Sequence, residues 1–277
     1  MSVAKEQREK LIWEFPNIGK KAPEQEEKAF AYCEGYKEFL NAAKTEREFV
    51  REAVLRLKEA GYEEFEEGKI YQPGDKVYQI NRKKALLMST FGKRPLEDGV
   101  RINVAHIDSP RLDLKPNPLY EKAEAAYFKT HYYGGIRKYQ WATIPLAMHG
   151  VVILKDGTSM DICIGEKEGD PVFCVTDLLP HLAAQQNERK LKDGIKGEEL
   201  NIIVGSLPYP CEEEDSIKEP VKLLALSILN ERFGMTEKDF LRAEIEFVPA
   251  VKATDVGLDR SLVALTDRMT RCARTRH

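Results

Sequence analysis

His106 and Asp108 stand two residues apart at the end of the apolar run in "RINVAHIDSPRLDLKPNPLYE", residues 101 to 121. On a β-strand, alternate residues face the same way, so the pair can lie side by side with the carboxylate hydrogen-bonded to the imidazole. That is how a metal-binding histidine is oriented. A catalytic zinc needs about three protein ligands and an open position, so His106 alone leaves most of the set to be found. His-x-Asp also occurs in many strands that bind nothing.

A sheet must position the pair. "KVYQI" and "ALLMSTF" flank the turn "NRKK", and "RINVAHID" reads as a third strand with His106 emerging at its end into a cleft. Upstream, residues 24 to 43 place Phe30, Cys33, Tyr36, Phe39 and Leu40 at helical spacing. Thr45 and Glu48 form a capping box for a second helix, which buries Phe49, Val50, Ala53, Val54 and Leu57 and ends at Gly61. After Pro110 come a hairpin turning at Asp156 and Gly157, a helix beginning near Asp177, and the strand "LNIIVG". A helix from Ser216 capped by Glu219 and closed by Gly234, then the strand "AEIEFVPA", complete the stretch, with "CEEEDSIKE" as a solvated loop. The fold class expected is α/β: helices on a sheet over residues 1–110, interrupted by an α+β unit over 111–248 and resumed from 249.

Composition narrows the partners. The chain has 277 residues, 42% hydrophobic and 32% charged, with a net charge of −3, which gives no global attraction to nucleic acid or anionic membrane. The start lacks an apolar leader core and no window is long and apolar enough to span a bilayer, so the expected compartment is the cytoplasm. Cys33, Cys163, Cys174, Cys211 and Cys272 are odd in number and never spaced as CxxC, and they read as reduced thiols.

Several conspicuous residues take structural readings. His131, His149 and His181 stand singly in apolar or aromatic surroundings and read as hydrogen-bonded structural groups. The glycines of "YYGGI" lack a phosphate-loop context and read as a tight turn. Arg137 and Lys138 beside Tyr139 and Trp141 are too weak a patch for nucleic acid and read as an interface or domain surface.

The stretches "AHIDSPRLDLKPNPLYE", "HYYGGIRKYQWATIPLAMHGVVIL", "TDLLPHLA" and "FVPAVKATDVGLDRSL" occur in the order and spacing of the aspartyl aminopeptidase family, metallopeptidase family 18. From about residue 70 to residue 263 the chain resembles that family, its bacterial branch most closely. The resemblance implies a zinc-peptidase sandwich domain, incomplete here, interrupted by a dimerisation insert, and a tetrahedral homo-oligomer built from dimers. It implies two zinc ions held by a histidine, a bridging aspartate, a glutamate from a Glu-Glu pair, a further aspartate and a late histidine. Only the first has a counterpart here, His106, with Asp108 matching the residue that orients it. The implied reaction is removal of N-terminal, acidic residues from peptides by a zinc-activated water, with the first glutamate of the pair as general base. A histidine that some relatives supply from the neighbouring insert is replaced by Gln185.

The tail, residues 264 to 277, departs from the family. After "DVGLDRSLV" the family pattern resembles Gly-Ala-Tyr-Gly-Gln-Asp-Asp-Lys-Val-Cys-Ala-Tyr-Thr-Ser. Written in permissible codons with one G deleted from the first, the shifted frame reproduces Ala264 to His277. The expectation is a one-base frameshift after Val263, an out-of-frame tail, and an inactive chain whose other ligands lie in unread sequence. Two other classes stay open. One is a non-catalytic, dimerising remnant that associates with intact subunits. The other is an anion binder using Arg268, Arg271, Arg274 and Arg276, which the out-of-frame origin explains better.

Overall fold

The computed structural model describes residues 3–13, 23–210, 217–265 and 268–271. Two compact units emerge, one of residues 43–251 and the other of the described parts of 1–42 and 252–277. The helices are α1 (Val3–Leu11), α2 (Pro23–Ala42), α3 (Glu46–Glu59) and, late in the chain, α4 (Pro220–Phe233).

In the smaller unit, β11 (Thr254–Val256), β12 (Leu262–Leu265) and β13 (Arg268–Arg271) form an antiparallel sheet. Cys33 of α2 is buried with Ala253 and Val263, and Leu40 and Leu265 pack alongside. Lys37 pairs with Asp255 at 2.7 Å, and the Asn41 side chain accepts the Ala253 N–H at 2.7 Å. The expected tail begins inside β12, and residues 266–267 and 272–277 lie outside the described residues.

The larger unit begins with the predicted capping box. The Glu48 N–H donates to Thr45 Oγ1 and the Thr45 N–H to Glu48 Oε2, satisfying two amides that the helix leaves free. At the other end Gly61 takes φ +83° and the Tyr62 N–H reaches the Leu57 carbonyl, a closure suited to glycine. A small sheet follows: β1 (Glu63–Glu64) runs parallel to β2 (Lys76–Asn81), which pairs antiparallel with β3 (Ala85–Thr90).

The main sheet has seven strands: β4 (Arg111–Lys122), β5 (Ala125–Tyr133), β6 (Leu146–Ile153), β7 (Ser159–Ile164), β8 (Cys174–Val175), β9 (Ile202–Gly205) and β10 (Ala243–Pro249). Their order is β7-β6-β10-β4-β5-β9-β8. The register of β4 on β5 shifts between Leu114 and Leu119, where Pro116 and Pro118 lack the N–H a regular ladder needs. Leu112, Phe128, Leu146, Met148, Val152 and Phe247 are fully buried, with Val221, Ala225 and Leu229 of α4 in the same core. Strands β6 and β10 approach so closely that a Cβ at Gly150 would collide with the Glu244 carbonyl, so only glycine fits there.

Three expectations need correction. "RINVAHID" is not a strand: residues 101–110 have no regular structure, and no neighbouring strand among the described residues offers a ladder. No continuous helix begins at Asp177, because Leu179, preceding Pro180, is held extended at ψ 149°. Two short turns, Pro180–Leu182 and Ala184–Asn187, stand in its place. Helix α4 begins at Pro220 rather than Ser216, which lies outside the described residues together with Cys211 and most of the "CEEEDSIKE" loop. Glu219 sits at φ +54°, and the cap comes from Glu121 on β4, whose Oε2 accepts the N–H groups of Val221 and Lys222. Residues 43–110 fall in the same compact unit as the seven-stranded sheet. The boundary drawn at 110/111 separates two sheets within that unit.

Buried charge joins these parts. Lys44, just before α3, donates to Glu166 at 2.6 Å and to the carbonyls of Pro249 and Val251 at the end of β10. His149 on β6 lies between Glu48 Oε1 (2.7 Å) and Glu166 Oε1 (3.0 Å). It is a hydrogen-bonded structural group, but in ionic rather than apolar surroundings. No helix among the described residues is long and apolar enough to cross a membrane.

Candidate functional site

His106 and Asp108 lie in the irregular segment immediately before β4. The His106 side chain is 62% exposed, and its Nδ1 stands 3.0 Å from the Asp108 carbonyl oxygen and 3.2 Å from Asp108 Oδ1. Both neighbours are acceptors, so Nδ1 carries the hydrogen and the lone pair falls on Nε2. Nε2 has no partner among the described residues. The expected His-x-Asp contact therefore forms without a strand, through a local turn that uses the Asp108 backbone as well as its carboxylate.

Asp108 is itself held. The Tyr133 hydroxyl donates to Asp108 Oδ2 at 3.0 Å. Partial burial disfavours the Asp108 charge, but the bond from Tyr133, a backbone amide and the nearby His106 outweigh it and hold the carboxyl below the usual range. The same bond, from the other side, raises the Tyr133 phenol. Tyr133 closes β5 directly opposite Arg111 of β4, and the Arg111 guanidinium lies 4.1 Å from the Tyr133 ring centroid.

Beneath that stack is a buried ionic cluster. Arg111 donates to Glu46 Oε1 at 2.6 Å and to Asp113 Oδ1 at 2.7 Å, while Glu246 Oε2 stays 3.4 Å from Arg111 Nε. Burial pushes the Glu246 carboxyl up to about 8, since Arg111, which opposes the shift, is shared with Glu46 and Asp113, whose charges add to it. Glu246 is thus mainly protonated at neutral pH. The Arg111 charge is disfavoured by burial but secured by the carboxylates around it, Asp113 and Glu46 at neutral pH and Glu246 as well once that group ionises.

Sequence reasoning missed Tyr133 and Arg111. Strand alternation puts His131 and Tyr133 on one face, but selecting Tyr133 as the partner of Asp108 requires the β4–β5 register.

These residues meet only part of what a catalytic zinc needs. His106, with its ring held by Asp108, presents one suitable nitrogen. Among the described residues, however, no three His, Cys, Asp or Glu side chains are grouped to hold a metal. His149 is raised to about 9 against the effect of burial by Glu166 and Glu48, and both its ring nitrogens are already engaged by those carboxylates. His131 stacks on Tyr132 and, like His181, is exposed. The described residues do not fit a complete zinc site.

Residues 39–270 match the family model described as aminopeptidase I zinc metalloprotease (M18). A probable M18 family aminopeptidase 1 from Clostridium acetobutylicum is 49% identical over 258 residues, covering 91% of this chain and 55% of that protein. The crystal structure of an M18-family aminopeptidase from Thermotoga maritima superposes with a TM-score of 0.83 at 44% identity, covering 91% of this chain and 54% of that one. That of aminopeptidase I from C. acetobutylicum gives 0.81 at 44% identity, with coverage of 91% and 56%. The chain spans about half the length of the relatives it matches.

Proposed function

The chain belongs to the M18 family of zinc aminopeptidases, and from that premise we propose that it carries the His–Asp portion of a metal centre that removes N-terminal residues, acidic ones by the family resemblance, from peptides. The observation behind this reading is the restrained His106 ring: Nδ1 is occupied by Asp108 and Nε2 is presented outward. His106 is the proposed zinc ligand, and Asp108 positions it. When bound, zinc would activate water and polarise the scissile carbonyl. The chain's own contribution is to hold one imidazole in the ligating tautomer. His106 is the one zinc ligand proposed among the described residues, so zinc-dependent turnover is expected only where further ligands complete the site.

We place residues 111–248 as the insert through which copies associate. Leu178, Leu179 and Leu182 are all more than half exposed there, beside His181 and Gln185, and such a cluster suits a homo-oligomeric contact. The cytoplasm suits the free thiols of Cys33, Cys163 and Cys174.

A chimera tests the assignment. Residues 39–263 are exchanged into the matching stretch of the C. acetobutylicum relative, and chelator-sensitive hydrolysis of aspartyl and glutamyl amides is measured together with zinc content. The chimera should be active, and His106→Ala should remove zinc and activity together. Asp108→Asn should lower affinity or activity by ~10 to 100-fold. Full activity in both variants would falsify the assignment.

A further inference from the structure

A second feature of the larger unit is independent of His106. A groove of about 680 Å³ lies between α3, the β2–β3 turn and the neighbouring parts of β6, β7 and β10. Its volume falls in the range of small-molecule sites. The floor is aliphatic, from Val50 and Val54 of α3, Ile80 of β2, and Val151 and Ile153 of β6. Four cations line it, Arg47, Arg51, Lys83 and Arg242, against two carboxylates, Asp161 and Glu244.

The cations are not equivalent. Arg47 is bound to Glu244 at 2.6 Å and Arg242 to Asp239 at 2.6 Å. Glu244 also receives Lys84, so it is fully engaged. Arg51 and Asp161 meet at 3.2 Å with both side chains more than half exposed, a weak pair that can be redirected. Lys83 has no ionic or hydrogen-bond partner among the described residues.

The backbone that presents Lys83 is unfavourable. The Lys84 N–H closes on the Asn81 carbonyl at 3.0 Å, with Arg82 at φ +52° and Lys83 at φ +60° between them. Hairpin turns with two left-handed central residues favour Asn and Gly, and larger side chains are strained there. Strain retained at such a position is a mark of functional sites. Here it sets an unpaired ammonium at the mouth of an aliphatic groove.

We propose that this groove binds an amphipathic monocarboxylate, its aliphatic tail on the Val50–Val54–Ile80–Val151 floor and its carboxylate on Lys83, with Arg51 as the second contact. The floor requires an apolar tail. Asp161 and Glu244 disfavour a polyanion, and the excess of cations disfavours an amine.

The test titrates the full chain with decanoate below its micellar concentration while the methyl resonances of Val54, Ile80 and Val151 are followed. Decanol, butyrate and decyltrimethylammonium serve as neutral, short and cationic controls. Decanoate should saturate the groove methyls and bind at least ~10-fold more tightly than any control, with affinity falling as salt is added. Lys83→Gly should weaken decanoate by about tenfold, leave decanol unchanged, and raise the melting temperature because glycine accepts the left-handed backbone. Decanol binding as tightly as decanoate, unchanged decanoate binding in Lys83→Gly, or no saturable shift of the groove methyls would each overturn the proposal.

Discussion

Two neighbouring stretches of the larger unit carry similar apolar alternation and meet different fates. Between Arg111 and Pro249 the strands find partners, and Leu112, Leu146 and Phe247 are wholly enclosed. Between Arg101 and Asp108 the same kind of pattern leaves Ile102 75% and Val104 89% exposed. Alternation says that a segment can be a strand; a neighbouring backbone decides whether it becomes one. Charge follows the same division. In the sheet region Arg111, His149 and Glu246 are buried, whereas His106 stands in solvent.

The widest separation should come from paired truncations. Phe247→Ala removes a ring that contacts Phe128 and Phe173 and should cost about 3–5 kcal/mol, whereas Val104→Ala should stay within about 0.5 kcal/mol. Urea midpoints measure both. A large loss at Val104 would break the comparison by showing that the segment is covered in solution. Limited proteolysis should agree, cutting first within residues 101–108 and sparing 111–210 and 217–249.

Next is the pH response of His149. Its pKa rises on folding from the ordinary 6.5 to about 9, so its stabilising contribution is complete below 6.5 and is lost as pH climbs through 9. The shift corresponds to ~3 kcal/mol, an order of magnitude for a coupled cluster. The lowered carboxyls of Glu48 and Glu166 give the opposite limb, lost as pH falls through the acid range below 4.5. Unfolding free energy that stayed flat from pH 7 to 10 would refute the clamp.

Glu246 gives a smaller effect and must be separated from His149. Folding raises its carboxyl from 4.5 to about 8, so the protein is progressively destabilised as pH rises between those values. Glu246→Gln keeps the shape of the neutral acid and should stabilise the protein at pH 8 and above by ~1–3 kcal/mol. The decline that persists in this variant between pH 8 and 10 then belongs to His149.

Smaller than either pH effect should be Tyr133→Phe, about 1 kcal/mol for one hydrogen bond. Its value lies in the His106 ring nitrogen resonances. They should report a fixed Nδ1–H tautomer in the wild type and move toward an average of both tautomers in the variant. Identical spectra would show that the Asp108 backbone alone fixes the ring.

Legibility in the sequence tracks separation along the chain. The Thr45–Glu48 box, the closure at Gly61 and the β6–β7 hairpin depend on residues within a turn of one another, and each forms where the local pattern puts it. The His106–Asp108 contact is equally local. What could not be read depends on register: Tyr133 reaches Asp108 only because β5 is set against β4, and Glu48 meets His149 across 101 positions. No periodicity in either segment encodes the other.

The grip of Lys44 on the Pro249 and Val251 carbonyls, 205 and 207 residues downstream, also sets a schedule for synthesis. At ~5–20 residues per second, the ribosome needs roughly 10–40 s after making Lys44 to produce its acceptors. During that interval α3 can form its capped ends, and His149 and Glu166 become available to it, but these last two acceptors are missing. The start of α3 is thus ready early and completed late.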